Sequence, residues 1–408
     1  MTFDVVSTRR GFPGLMQTAR GGVALHYLDN AATTQMVQEA IDAYVHHEIT
    51  SRANVQRGSH YLAERSTEAY ESARSMVCQF LHASSPKEVI FTSGTTESIN
   101  LLASSFGSLL RVGDEIVVSE AEHHSNFLPW QRLCDATGVI LKILPVTKEG
   151  RLDIDDLPHY VSKRCRLIAL THCSNVTGHI TDVLSVVKVA DSVGARVFLD
   201  GAQMVQHGPV DVQELGVDFY AFSGHKCFGP TGIGVLWGPE EQLQKLPPFQ
   251  TGGGMVNYVD VDSVRFADYS RRFEAGTPPI AQAIALASAL QWMMTLDWDA
   301  VLQHEQRLFK RAINGVNSIP GIHLLGEPNQ EHRQSLISFA NDSIHPHDIC
   351  HVLDESGVAL RGGHHCAQIL LRKMGVTTST RFSIALYNND ADIDALINGL
   401  ERAVEMLS

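Results

Sequence analysis

The sequence predicts an α/β fold: a mostly parallel central sheet with helices on both faces, followed by a smaller α+β unit. Three observations carry that prediction. From Glu88 onward short apolar runs alternate with longer amphipathic stretches, which is the rhythm of a parallel sheet with helical crossovers. Several of the runs stop abruptly at polar or glycine-rich residues. After a long Ala/Leu-rich stretch the pattern changes to mixed strands and helices. A chain of 408 residues that is 44% hydrophobic has enough apolar material to bury a core of this size.

The elements follow in order. Strands are predicted at Val89 to Phe91, Glu115 to Ser119, Val139 to Pro145, Arg166 to Thr171, Arg196 to Asp200, Asp218 to Phe222 and Ile233 to Trp237, each an apolar run of strand length. Pro278 to about Leu308 reads as one long helix. Beyond it come a strand at Ser335 to Phe339, a helix from Pro346 to Ser356, strands at Val358 to Arg361 and Arg381 to Ala385, and a terminal helix from about Asp390. The implied division is an N-terminal arm over 1–25 that packs with the small domain, a large domain over 26–295, and a small C-terminal domain over 296–408.

Composition excludes several functions. A net charge of −13, with no basic block to offset it, argues against nucleic acid as a partner. No apolar run approaches the length of a membrane span, and the 20 histidines include no HExxH zinc spacing, so neither a membrane nor a metal is expected. Seven cysteines without a CxxC pair read as reduced thiols in a cytoplasmic protein, where a single one can be reactive.

In open α/β sheets ligands collect beyond the carboxyl ends of the strands, so the polar residues that follow these runs are expected to converge. Lys226, in Ser223-Gly-His225-Lys226, and Asp200, in Asp200-Gly-Ala-Gln203, both follow strands. Taken singly, one is satisfied by a lysine in a glycine-rich turn and the other by a helix cap. Together they are what pyridoxal phosphate needs: an amine to hold its aldehyde and a carboxylate to keep its ring nitrogen protonated. Thr95 and Thr96 open a helix after a strand, where hydroxyls and free amides suit a phosphate. Ser223 and His225 are two more phosphate donors. His123 is placed to stack on the ring and to move protons, Gln203 to reach the ring hydroxyl, and Asn175 follows another strand end.

The strings Leu28-Asp-Asn-Ala31-Ala-Thr33, Thr92 to Asn100, Glu122 to Asn126, Ser174 to Gly178, Asp200 to Gln203 and Ser223 to Lys226 resemble those of class V aminotransferase-like enzymes with the fold type I architecture. Phe219 to Lys226 with Gly229 to Gly234, and Arg361-Gly-Gly-His-His-Cys366, resemble more closely the group II (SufS/CsdA-like) cysteine desulfurases. The resemblance implies a homodimer in which Gly276-Thr277-Pro278 reaches the phosphate of the partner subunit. It implies that L-cysteine is the substrate, with Arg381 holding its carboxylate and Arg361, Asn175 and Ala31 beside it. Cys366 takes the sulfur as a persulfide, and a SufE-type or scaffold-linked partner receives it, with iron-sulfur cluster assembly among the possible destinations.

Adjacent positive charge favours a thiolate, and Arg361, His364 and His365 lie within five residues of Cys366. Cys227 and Cys173 stand near the motifs but read as small hydrophobes, Cys78, Cys134 and Cys165 as core, and Cys350 as part of a helix. Two departures from the family pattern stand out: Gln56 where a histidine is common, and Phe249 to Met255 without the polar residue expected after the glycines. The alternatives are a selenocysteine lyase, another class V activity such as a cysteine lyase or a transaminase, or a catalytically silent binding subunit on the same fold.

Overall fold

The computed structural model describes residues 3–56, 58–327 and 332–408, so residues 1–2 of the expected arm lie outside it. Its centre is a seven-stranded sheet. In chain order the strands are β1 (Val89–Thr92), β2 (Glu115–Ser119), β3 (Ile140–Leu144), β4 (Cys165–Thr171), β5 (Arg196–Asp200), β6 (Phe219–Ser223) and β7 (Gly234–Trp237), and across the sheet they run β1-β7-β6-β5-β4-β2-β3. Only β7 runs against its neighbours, pairing antiparallel with both β1 and β6. The remaining pairs are parallel, so the carboxyl ends of β1, β2, β4, β5 and β6 meet at one edge.

Near-continuous apolar sequence is what two covered faces demand, and every residue of β1, β2, β6 and β7 is buried. At the far edge β3 is half open, with Ile140 and Ile143 exposed. Gly234 is required where β7 passes the turn after β1, because a Cβ there would stand 2.4 Å from the Gly94 Cα.

The outer edge of β1 is sealed by side chains instead of a further strand. Arg74 Nη1 donates to the Val89 carbonyl at 2.8 Å, and the Phe91 N–H donates to Glu274 Oε1 at 2.8 Å. The two sealing residues form a forked ion pair at 2.7 and 2.8 Å, and the Tyr70 hydroxyl donates to the second Glu274 oxygen at 3.1 Å. Both side chains are buried, and the attraction holds because every charged atom has a hydrogen-bond partner.

The stretch expected as one long helix is two helices, Ile280–Met293 and Trp298–Asn317. Asp297 starts the second by accepting the Ala300 N–H, and the Trp298 indole donates to the Met293 carbonyl left at the end of the first. The smaller sheet is antiparallel, with strands β8 (Ile322–Leu325), β9 (Leu336–Asn341), β10 (Arg361–Gly363) and β11 (Ser379–Ser383) in the order β8-β9-β11-β10. The strand expected over Val358 to Arg361 divides: Val358–Ala359 pairs with His26–Tyr27, while β10 joins β11. The strand expected at Arg381 to Ala385 begins two residues earlier, at Ser379. In the terminal helix Asp390–Leu407, Asp392 accepts from Arg9 at 2.9 Å and contacts His26 at 2.8 Å, so residues from the start of the chain are fastened to its last helix. Among the described residues no helix is long and apolar enough to cross a membrane.

Replacing Arg74 with Leu strands the Glu274 carboxylate inside the protein. The expected cost is about 3–5 kcal/mol, seen as a lower midpoint in thermal unfolding, with Arg74→Lys retaining part of the loss because a point charge replaces the fork. An unchanged midpoint in Arg74→Leu rules out this account of the edge.

Candidate active site

The carboxyl edge of the large sheet and the neighbouring edge of the smaller one enclose a cavity of about 240 Å3. Its wall brings together Ala31, Thr95, Thr96, His123, Asn175, Asp200, Gln203, Ser223, His225, Lys226, Arg361, Cys366 and Arg381, every candidate residue read from the sequence except Thr277. Thr277 is exposed elsewhere on the chain, three residues after Glu274.

Each loop after a strand supplies its part. Beyond β1, the helix Thr95–Gly107 presents its first turn, and Ser223, at the end of β6, contacts the Thr95 N–H at 2.9 Å and its hydroxyl at 2.7 Å. The Thr96 hydroxyl lies 2.8 Å from that of Ser125. This cradle of hydroxyls at a helix N-terminus suits an anion. At the end of β5, Asp200 accepts the Ala202 N–H at 3.0 Å and is buried, and burial raises its pKa against the opposing pull of that bond and of Lys226.

Lys226 follows β6, and burial brings its amine down to about 8, opposed by Asp200 and assisted by Arg381 and Arg361. His123 follows β2, where burial first, and Lys226 next, lower its pKa to about 3, so the ring is neutral. Its Nδ1 accepts the Ser125 N–H at 3.1 Å, which leaves the ring proton on Nε2. Behind it, the buried Glu122 is raised to about 8, chiefly by desolvation, and is tied to Ser119 and to Asn126, whose amide donates at 2.6 Å.

Asn175, after β4, joins the two sheets. Its Nδ2 donates to the His365 carbonyl at 2.7 Å, and its own carbonyl accepts from Arg381 Nη1 at 2.9 Å. Arg381, on β11, is buried and also reaches Asp29 at 3.3 Å, while Arg361 lies 3.6 Å from the other Asp29 oxygen. The role of Asp29 in orienting both guanidinium groups was not singled out from the sequence, although it sits in the quoted run Leu28-Asp29-Asn30. Ser125 and Ala202 also line the cavity and were missed.

Cys366 is partly exposed, and five of the other cysteines are buried. Burial pushes Cys165 and Cys173 up to about 12, and Cys227 higher still. The expectation that both neighbouring histidines lend positive charge to Cys366 needs correction at His365. That ring is buried, hydrogen-bonded to Ser379 at 3.0 Å and lowered to about 3 by desolvation and then Arg381, so it is neutral. The positive charge in this part of the wall belongs to the two arginines.

Three residues of this wall carry a buried polar atom without a partner among the described residues: Gln203 Oε1, His365 Nδ1 and Arg381 Nε. Those orphaned atoms, an amine with a depressed pKa, a buried carboxylate and a hydroxyl cradle fit the aldehyde, ring nitrogen and phosphate of pyridoxal phosphate. Fold and site together define a pyridoxal phosphate enzyme. The aminotransferase class-V model matches residues 26–396, and the chain belongs to that family.

Among its relatives, a probable cysteine desulfurase of Streptomyces coelicolor is 43% identical over 98% of this chain and 96% of its own length. One from Vibrio cholerae is 42% identical over the full length of both. Of solved structures, the Escherichia coli cysteine desulfurase CsdA aligns over both whole chains with a TM-score of 0.92 and 39% identity. An apo cysteine desulfurase from Thermococcus onnurineus gives 0.94 and 34%, again over both whole chains.

Two outcomes are expected. Limited iodoacetamide followed by peptide mapping marks Cys366 first, while the partly buried Cys350, raised to about 12 by desolvation, lags by about tenfold or more; equal labelling of the two contradicts this wall. Because only the neutral amine attacks an aldehyde, the rate at which apoprotein captures pyridoxal phosphate rises with pH and levels off above about 8. A rate still climbing toward the ordinary lysine value of 10.5 contradicts the burial of Lys226.

Proposed function

We infer that the chain is a pyridoxal phosphate-dependent cysteine desulfurase that converts L-cysteine to L-alanine and places the sulfur on Cys366. The observation that carries the reading is the presence of Lys226 and the partly exposed Cys366 in the wall of one cavity, beside a buried arginine. The full-length relatives support it.

When bound, pyridoxal phosphate draws electrons from the α-carbon of an amino acid, which makes the α proton acidic and the sulfur open to attack. Lys226 and Asp200 would hold the cofactor at its aldehyde and ring nitrogen, His123 would restrain its ring, Gln203 would meet its hydroxyl, and Thr95, Thr96, Ser223 and His225 would take the phosphate. Arg381, held flat by the Asn175 carbonyl and Asp29, presents a fork to the substrate carboxylate, with Arg361 and Ala31 at its side.

Lys226 Nζ removes the α proton and later returns one. The Cys366 sulfur forms a new S–S bond to the substrate sulfur as the substrate C–S bond breaks. The balance is L-cysteine plus Cys366 thiol giving L-alanine plus Cys366 persulfide, with no outside oxidant. The neutral His123 sits where protons pass between these groups without adding a charge.

The proposal extends to a cytoplasmic homodimer in which Thr277, exposed on its own chain, completes the phosphate site of the partner, and to a SufE-type or scaffold-linked acceptor that removes the persulfide. It also extends to an arm over 1–25, a large cofactor domain over 26–295 and a small domain over 296–408. The fastening of Arg9 to Asp392 supports the arm packing with the small domain.

Cys366→Ser is expected to keep the cofactor colour but to lose alanine formation by about a hundredfold or more, the scale of losing a covalent nucleophile. In the unaltered protein, intact mass after incubation with L-cysteine shows one added sulfur on the Cys366 peptide. Equal alanine yield from the serine variant overturns the role.

A further inference from the structure

His365 and Cys366 are consecutive non-glycine residues in the left-handed region, with φ of 49° and 53°. That conformation costs an L-residue about 1–2 kcal/mol and persists only where the surroundings impose it. The groups that impose it come largely from the loops of the large sheet. Asn175 takes the His365 carbonyl, as above, and the His124 N–H donates to the Cys366 carbonyl at 2.7 Å.

On the far side of Ala367, the Gln368 N–H donates to His124 Nε2 at 3.4 Å. The His124 ring lies 5.9 Å from the ring of His364, tilted by 35°, and His364 Nδ1 in turn accepts the Cys366 N–H at 3.3 Å. His124 therefore touches the loop both before and after the thiol while standing outside the cavity wall. Burial, followed by His364 and Arg372, lowers its pKa, which keeps the Nε2 lone pair available as an acceptor.

We propose that His124 is a positioning residue that fastens the Cys366 loop to the loop carrying His123, holding the thiol in the cavity wall through its main-chain N–H and its Nε2. The proposal rests on the reading of Cys366 as the sulfur acceptor. It adds that the residue which stacks on the cofactor and the residue which takes the sulfur are held in one register by the side chain between them.

The test compares His124→Gln, whose amide oxygen reaches about as far as Nε2, with His124→Asn, which carries the same group one methylene shorter. Both are made in the holoenzyme, with cofactor absorbance unchanged. In His124→Asn, kcat for alanine is expected to fall about tenfold with KM within about twofold, since a positioning defect acts on the reacting geometry more than on binding. Iodoacetamide alkylation of Cys366 is expected to accelerate about threefold or more as the loop loosens, and amide hydrogen exchange over 364–371 to quicken while the rest of the chain is unaltered.

His124→Gln is expected to stay within about twofold of the unaltered protein on every readout. The proposal is overturned if His124→Asn behaves like the unaltered protein, if the glutamine fails as badly as the asparagine, or if exchange quickens everywhere or the chain does not fold. Alkylation and exchange do not depend on Cys366 accepting sulfur, so they separate failure of this proposal from failure of the desulfurase reading.

Discussion

The arrangement depends on Asn175. Its side chain holds the His365 carbonyl and its own carbonyl holds Arg381, so one residue at the end of a central strand grips both the Cys366 loop and the buried arginine. The two sheets have separate hydrogen-bond ladders, and apolar packing alone is non-directional. Two charge-assisted or buried amide contacts turn that loose adjacency into a fixed distance between chemistries that arise far apart in the chain. The lysine follows a strand of one sheet and the cysteine a strand of the other, and this grip keeps both in the wall of one cavity.

Electrostatics then divides the labour. Desolvation makes His123 and His365 neutral and brings Lys226 to about 8, while Arg361 and Arg381 both stand against Asp29. The wall thus has a cationic corner at Arg361 and Arg381, and beside Lys226 and Asp200 two imidazoles, His123 and His365, that carry no charge. Asp29 is central to this division because Arg361 and Arg381 are register partners on adjacent strands, and its two oxygens give each guanidinium a counter-charge.

Much of the fold was legible because strands buried on both faces must be apolar throughout, and runs such as Glu115 to Ser119 and Arg196 to Asp200 mark themselves. The residues after them were legible for a related reason: a strand end fixes where the following lysine, aspartate or histidine must point. The break between the helices at Met293 and Trp298 was not, since Thr295-Leu296-Asp297 contains neither glycine nor proline and the apolar periodicity continues across it. Nor was the strand Ile322–Leu325, too short and too near a turn to show alternation. Asp29, His124 and the neutrality of His365 depend on partners distant in sequence, and only the folded chain brings those partners into place.

The pair of Arg74 and Glu274 that covers the border of β1 has a wider consequence. An open sheet border is an invitation to any stray extended polypeptide, and here the invitation is withdrawn by two side chains that occupy the vacant ladder positions. The same carboxylate lies three residues before Thr277, so the bolt that shuts the border also sets where that loop leaves the body of the protein. Protection against adventitious stacking and the placement of a surface segment are thereby one bond, and a substitution at either residue disturbs both at once.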